Sequence, residues 1–232
     1  MQKDLTTKTS NRQGELDELL LDWRKCKRCP LYRNRKVPIL PFGKMHPGSQ
    51  VALVLDRLHL GSMYGDPLED SSQIWILDKM LGYLGDGLSA HDLWVTPTTL
   101  CPTRGISPTD KAPDMMPFPR TNHTRECRER LHREVHILQP KVLIACGSEA
   151  LKALHTKNPP KYKEVFGTVS EVYIQGDLVP YAVPVMTTYS ISHLDRVGQS
   201  DPQVWDKFYT HLGVALDIAK QLENLETGND ST

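Results

Sequence analysis

Cys26, Cys29, Cys101 and Cys127 restrict how this 232-residue chain can fold more than any other feature. The first two form a tight CxxC knuckle, Cys26-Lys27-Arg28-Cys29, followed by Pro30-Leu31-Tyr32. Cys101 follows an apolar stretch and is again trailed by proline, whereas Cys127 sits in the charged run Arg125-Glu126-Cys127-Arg128-Glu129. Two CxxC pairs would suggest a zinc ribbon. One pair with two distant single cysteines instead predicts a centre that ties three separate segments together. Four thiolates are the ligand set of iron–sulfur clusters and of structural zinc. Four ordinary buried thiols are the plainer reading, and the spacing argues against it. A fifth cysteine, Cys146, ends the apolar run Val142-Leu143-Ile144-Ala145 and is expected in a buried strand, away from any metal.

Lysine and arginine number 28 against 28 aspartates and glutamates, so no global field draws the chain to nucleic acid or membrane. A nucleic-acid site must be a local patch. No apolar run reaches transmembrane length and no secretory core opens the chain, so a cytoplasmic protein is expected, bacterial or viral in a host cytoplasm. An odd cysteine count argues against a secreted disulfide framework.

Residues 1–13 are polar and read as a disordered tail. Leu16, Leu19, Leu20 and Trp23 recur at helical spacing and lead into the knuckle. Residues 51–55 form a continuous apolar run, the pattern of a strand covered on both faces. Ile74, Leu77, Leu81 and Leu84 mark a helix, and residues 93–96 a second strand. Residues 102–120, rich in proline, read as a long loop. A charged helix is expected over 121–138, stopping before Pro140, then a strand over 142–145 and a helix capped by Ser148. Further strands fall near 169–175 and within 181–189. An amphipathic helix over 205–222 closes the domain, leaving 223–232 as a tail. Alternating strands and helices predict an α/β fold with a mostly parallel sheet covered on both faces.

From Cys26 to Phe208 the chain resembles the iron–sulfur uracil-DNA glycosylases (families 4 and 5) of the uracil-DNA glycosylase superfamily. The order of the four cysteines carries the resemblance, with Pro30-Leu31-Tyr32, Leu77-Asp78-Lys79-Met80-Leu81, Gln139-Pro140-Lys141-Val142-Leu143-Ile144 into Gly147, and Thr188-Tyr189. It implies one domain over 14–222, a three-layer α/β/α sandwich, and a [4Fe–4S] cluster held by Cys26, Cys29, Cys101 and Cys127 near a DNA-binding face, with zinc as the alternative metal.

The family's catalytic motifs are largely replaced. The first, Gly-Glu-Ala-Pro-Gly, falls near Leu55-Asp56-Arg57-Leu58-His59, where only the acid Asp56 persists. The stacking segment Gly-x-Pro-Phe matches Gly65-Asp66-Pro67-Leu68, so Leu68 takes the place of the aromatic. The base-reading asparagine aligns with Pro97, whose side chain has no hydrogen bond to offer. The late His-Pro-Ser loop aligns with Ser190-Ile191-Ser192, and His193 lies three residues beyond the expected histidine. A glycosylase must hold a flipped base by stacking and edge hydrogen bonds. Losing one buried edge bond costs on the order of 1–3 kcal/mol, so plain uracil excision is not expected.

Asp56 and His193 are the candidate catalytic residues, as an acid or base at a strand end and a proton carrier. Ser190, Ser192, Arg196 and Leu68 are candidate DNA or base contacts, on a loop after the last strand and at the former pocket. Glu69 and Asp70 would point acids at that pocket; His59 has no evident partner. Arg24, Lys25, Lys27, Arg28, Arg33, Arg35 and Lys36 crowd the knuckle, with Arg28 and Arg33 the foremost candidates to meet a DNA backbone, single- or double-stranded. Arg125, Arg128, Arg130 and Arg133 add a more mixed helix face. The leading expectation is a DNA-binding cluster protein acting on a modified or non-uracil base, as a glycosylase or base-modifying transferase. The alternative is a non-catalytic DNA-binding or replication-accessory module on the same scaffold.

Overall fold

The structure, a computed structural model, describes residues 2–34, 40–43, 50–56, 72–84, 89–101, 121–175, 180–198 and 200–228. Among these, six strands form one sheet: β1 (Phe42–Gly43), β2 (Val51–Leu55), β3 (Trp94–Pro97), β4 (Val142–Cys146), β5 (Val169–Ile174) and β6 (Tyr181–Thr188). The α-helices among the described residues are α1 (Gln2–Arg24), α2 (Ser72–Tyr83), α3 (Thr121–Leu138), α4 (Ser148–Leu154), α5 (Tyr162–Val165), α6 (Ile191–Val197) and α7 (Gln203–Gly228).

The strand order is β1-β3-β2-β4-β6-β5. The inner four pair in parallel, with Leu53 opposite both Val95 and Ile144, and Ile144 opposite Met186. Both edges run antiparallel, β1 on β3 and β5 on β6. The sheet is therefore mixed, a correction to the mostly parallel expectation that applies at its two rims. The physical sign is in β5, whose residues alternate between exposed and buried as a half-covered strand does. The inner strands β2 and β4 are buried along their whole length.

Alternate residues of the strands point into two cores. Leu53, Val95, Ile144 and Met186 pack with Leu77 and Leu81 of α2, Leu194 of α6 and Phe208 and Leu212 of α7. Val54, Trp94, Leu143 and Val185 pack with Leu16 and Trp23 of α1, Leu131 and Leu138 of α3 and Leu151 of α4. Three layers result, as expected. The helices at both ends run beyond the residues whose apolar spacing marks them. Residues 2–13 continue α1, with Arg12 donating to the Gln139 side chain and Gln13 to Asp17. Residues 223–228 continue α7, and Glu226 there meets Lys141. These polar contacts hold helices that an apolar stripe alone did not reveal. Among the described residues, no helix is long and apolar enough to cross a membrane.

Candidate functional site

Parallel strands deliver their C-terminal ends to one rim of the sheet, where open α/β sheets build their sites. Asp56 follows β2 at that rim, half-buried. Gly147 follows β4 with φ 100° and ψ 169°, a conformation open essentially to glycine alone. It also has no room for a side chain. A Cβ built there would stand 2.9 Å from Ser190 Cβ, 3.4 Å from Asp56 Oδ2 and 3.5 Å from Asp56 Cβ. The missing side chain is thus what lets Ser190 pack against this turn, where Asp56, distant in sequence, also lies. Gly147, not Ser148, is the N-cap of α4, because this turn brings the chain close to the neighbouring strands while its N–H donates to the Thr188 carbonyl at 3.0 Å.

The segment after β6 is a helix and not the loop expected. Ser190 caps α6, its side chain accepting from the His193 N–H at 3.2 Å. That places Ser192, His193, Asp195 and Arg196 on α6: Ser192 and His193 half-buried, Asp195 and Arg196 exposed. The His193 ring stacks on Tyr189 at 5.0 Å and 16°. Tyr189 in turn lies 4.5 Å from Phe166, which meets His211 edge-on at 5.2 Å. Thr188 Oγ1 and His211 Nδ1 are 3.0 Å apart. Burial, reinforced by Lys207, lowers the His211 pKa and keeps the ring neutral.

Tyr162 belongs to this site although nothing in the sequence pointed to it. Its hydroxyl donates to the Thr188 carbonyl at 2.8 Å. Burial, then the neighbouring Cys146, Tyr189 and Asp56, push its pKa up, so it remains a donor. Cys146 lies fully buried beneath, as expected, its thiol pKa raised by burial and by Asp56. Pro97 closes β3 opposite Leu55, while Thr98 donates from its N–H to the Leu55 carbonyl at 2.9 Å and from its hydroxyl to the Asp56 carbonyl. The rim therefore offers a carboxylate, a hydroxyl and an aromatic run around one glycine turn. Leu68, with His59, Glu69 and Asp70, lies outside the described residues.

A second constellation surrounds the cysteines. Cys26, Cys29, Cys101 and Cys127 all line one small cavity, together with Trp23, Arg28, Tyr32, Leu100, Glu126 and Arg130. No disulfide joins any of the five cysteines. Among the described residues, no three His, Cys, Asp or Glu side chains already stand together as an ion-binding set. The donor chemistry nevertheless fits a thiophilic centre, and the wall of the cavity holds a buried Arg130 whose Nε has no hydrogen-bond partner among the described residues. A buried donor without a partner, on a residue that lines the same cavity as four cysteines, suits an electron-rich sulfur centre.

Arg130 is also a correction to the expected basic face of α3. It is 3% exposed and pairs with Glu134, itself fully buried, at 2.7 Å. It also donates to Thr96 Oγ1 at 3.1 Å and to the Pro97 carbonyl, and its guanidinium sits 5.0 Å from the Trp23 ring. Burial pushes the Glu134 carboxyl up to about 7 against the pull of Arg130 and the bonds from Thr96 and Trp94. Around the knuckle, Arg24, Lys25, Lys27 and Arg28 are exposed as expected, and Arg28 meets Glu129 at 3.8 Å. Arg33 falls in a short 3-10 turn, Pro30–Asn34, its side chain outside the described residues, as are Arg35 and Lys36.

A family model for the uracil DNA glycosylase superfamily matches residues 60–213, well over half of the chain. No curated protein matches it. The matched span holds Cys101, Cys127, Tyr162 and the Ser190–Arg196 segment, and begins after the knuckle and Asp56.

Proposed function

Because the chain belongs to the uracil DNA glycosylase superfamily, we propose that it is a DNA-binding [4Fe–4S] protein that processes a modified or non-uracil base. The observation that carries this is the approach of both Asp56 and Ser190 to Gly147, at the ends of the parallel strands β2 and β6 that flank β4. A carboxylate and a hydroxyl borne by residues that both pack on one glycine turn suit the placing of a water or a sugar hydroxyl at a flipped nucleotide. The ring run of His193, Tyr189 and Phe166 supplies faces against which a base can stack. His193, one helical turn from Ser190, is the proton carrier in this reading. Pro97 removes the side-chain bond that would read a uracil edge, which argues for a different base.

The four cysteines are the proposed cluster ligands, sharing one cavity that Cys146 does not reach. A cluster there would order the knuckle, the segment after β3 and α3 against one another. Zinc in the same four thiolates is the alternative. The exposed Arg24, Lys25, Lys27 and Arg28 then face a DNA backbone without reading sequence. Pro97 also favours a second reading, a DNA-binding module without chemistry.

The test is nucleoside mass spectrometry on single- and double-stranded DNA carrying uracil, 5-hydroxymethyluracil or ordinary bases, incubated with anaerobically purified protein. A base removed or altered by the wild type, and spared by Asp56→Ala and His193→Ala, supports base processing. Unchanged DNA that still binds the protein tightly rejects it in favour of the non-catalytic module.

A further inference from the structure

The cysteine cavity and the strand-end rim share one side chain. Arg130 lines the cavity, three residues along α3 from Cys127 and so on the same helix face. One terminal nitrogen donates to Thr96 Oγ1 at 3.1 Å and to Glu134 Oε2 at 2.7 Å, and the other donates to the Pro97 carbonyl. Glu134 is held from its other oxygen by Trp94 Nε1 at 2.5 Å. Thr96, Glu134 and Trp94 are all buried. The guanidinium is thereby clamped in one plane, against the Trp23 ring that also lines the cavity. One of the three nitrogens is left without a partner. The Nε–H is buried and has no acceptor among the described residues, which is costly unless the cavity supplies one.

We infer that Arg130 is a positioning residue that donates its Nε–H to a sulfur of the four-cysteine centre while its terminal nitrogens hold the end of β3. The inference rests on the proposed metal-holding role of those cysteines. A thiolate or sulfide is the acceptor that such a cavity offers, and a guanidinium is the donor best matched to its charge. The bond orients the centre much as outer-shell partners orient metal ligands elsewhere. It also makes the carbonyl of Pro97 a reporter of the centre, because the same rigid fork touches both.

The test compares wild type, Arg130→Lys and Glu134→Gln, each purified anaerobically and loaded with ferrous iron and sulfide or with zinc alone. Metal per chain, the visible absorbance and the rate of metal release to a chelator are read, with circular dichroism to confirm folding. Arg130→Lys keeps the charge and removes the Nε–H; it should load metal and release it about tenfold faster. Glu134→Gln keeps the Nε–H and should release metal within about twofold of wild type, by the same outer-shell reasoning. Equal release from wild type and Arg130→Lys overturns the inference alone. Wild type that binds neither iron nor zinc overturns the inference together with the reading beneath it. Should Arg130→Lys fail to fold, wild type carrying 15N-arginine decides the matter, with the reduced cluster or substituted cobalt as the paramagnet. A hyperfine-coupled arginine nitrogen supports the bond, and its absence overturns it.

Discussion

Replacing Gly147 by alanine should damage stability and site together. Its backbone stands at φ 100° and ψ 169°, where an L-residue is strained by about 1–3 kcal/mol. The new methyl would also press on Ser190 Cβ at 2.9 Å, a distance that real Cβ atoms essentially never show, while Asp56 Oδ2 at 3.4 Å would be in ordinary contact. Ser190 does not yield easily. The Ser190 contact is to a Cβ, next to the backbone, and its side chain caps α6. Overpacking of this kind adds about 1–3 kcal/mol, so Gly147→Ala should cost about 2–6 kcal/mol in all. That is a large part of the roughly 5–15 kcal/mol that typically holds a domain. Urea denaturation of the full chain measures it, with Gly82→Ala in α2 as the control. No atom lies within 4 Å of a Cβ built at Gly82, so alanine there should be neutral or stabilising by about 0.5–1 kcal/mol. A Gly147→Ala cost below about 1 kcal/mol would show that the turn relaxes, and that Asp56 and Ser190 are not fixed against each other.

Two further outcomes follow from the charges. Glu134 has its folded carboxyl raised to about 7 from 4.5, so its ionised form is disfavoured by folding; this costs nothing below about pH 4.5, grows to about pH 7 and is constant above. Relative to Glu134→Gln, the wild type should therefore gain stability as pH falls from 7 to 4.5, and a flat difference in urea midpoints across that window would contradict the burial of an ionisable carboxyl there. Changing Arg24, Lys25, Lys27 and Arg28 to glutamine should lower DNA affinity and flatten its dependence on salt, by up to about 0.9 in log–log slope for each duplex phosphate no longer neutralised. An unchanged slope in fluorescence anisotropy would place the DNA face elsewhere.

What the chain revealed in advance follows from how each element is built. β2 and β4 were readable because strands buried on both faces are apolar at every position. α3 was readable in extent, from Thr121 to Leu138, but not in orientation. Its many charges hid that Arg130 and Glu134 point inward, since a pair four residues apart looks the same on a solvent face. α6 was hidden because seven residues beginning Ile191-Ser192-His193 carry too little periodicity, although Ser190 before them is a capping residue. Tyr162 was invisible for a different reason. It sits on a four-residue helix after Pro159-Pro160, and only the folded sheet brings it to Thr188. Asp56 and Ser190 were each found by position, whereas their meeting depends on a glycine whose role is the absence of an atom.

In the proposed function, Pro97 stands at a place that the scaffold keeps while what happens there changes. Its position is specified almost entirely by backbone and by other residues' side chains. It lies opposite Leu55 in the parallel register, Thr98 picks up the Leu55 carbonyl beyond it, and Arg130 grips its own carbonyl. None of these bonds asks anything of the side chain at 97. The strand end is held by these bonds whether or not that side chain can read a base edge, although its burial limits what can stand there. Recognition, by contrast, depends on it, because a buried polar edge left unpaired costs on the order of 1–3 kcal/mol. The residues that hold this rim are thus separate from those that would choose its ligand. In the proposed reading the fold holds the former, and the choice of ligand falls to Asp56, Ser190, His193 and the aromatic run beside them.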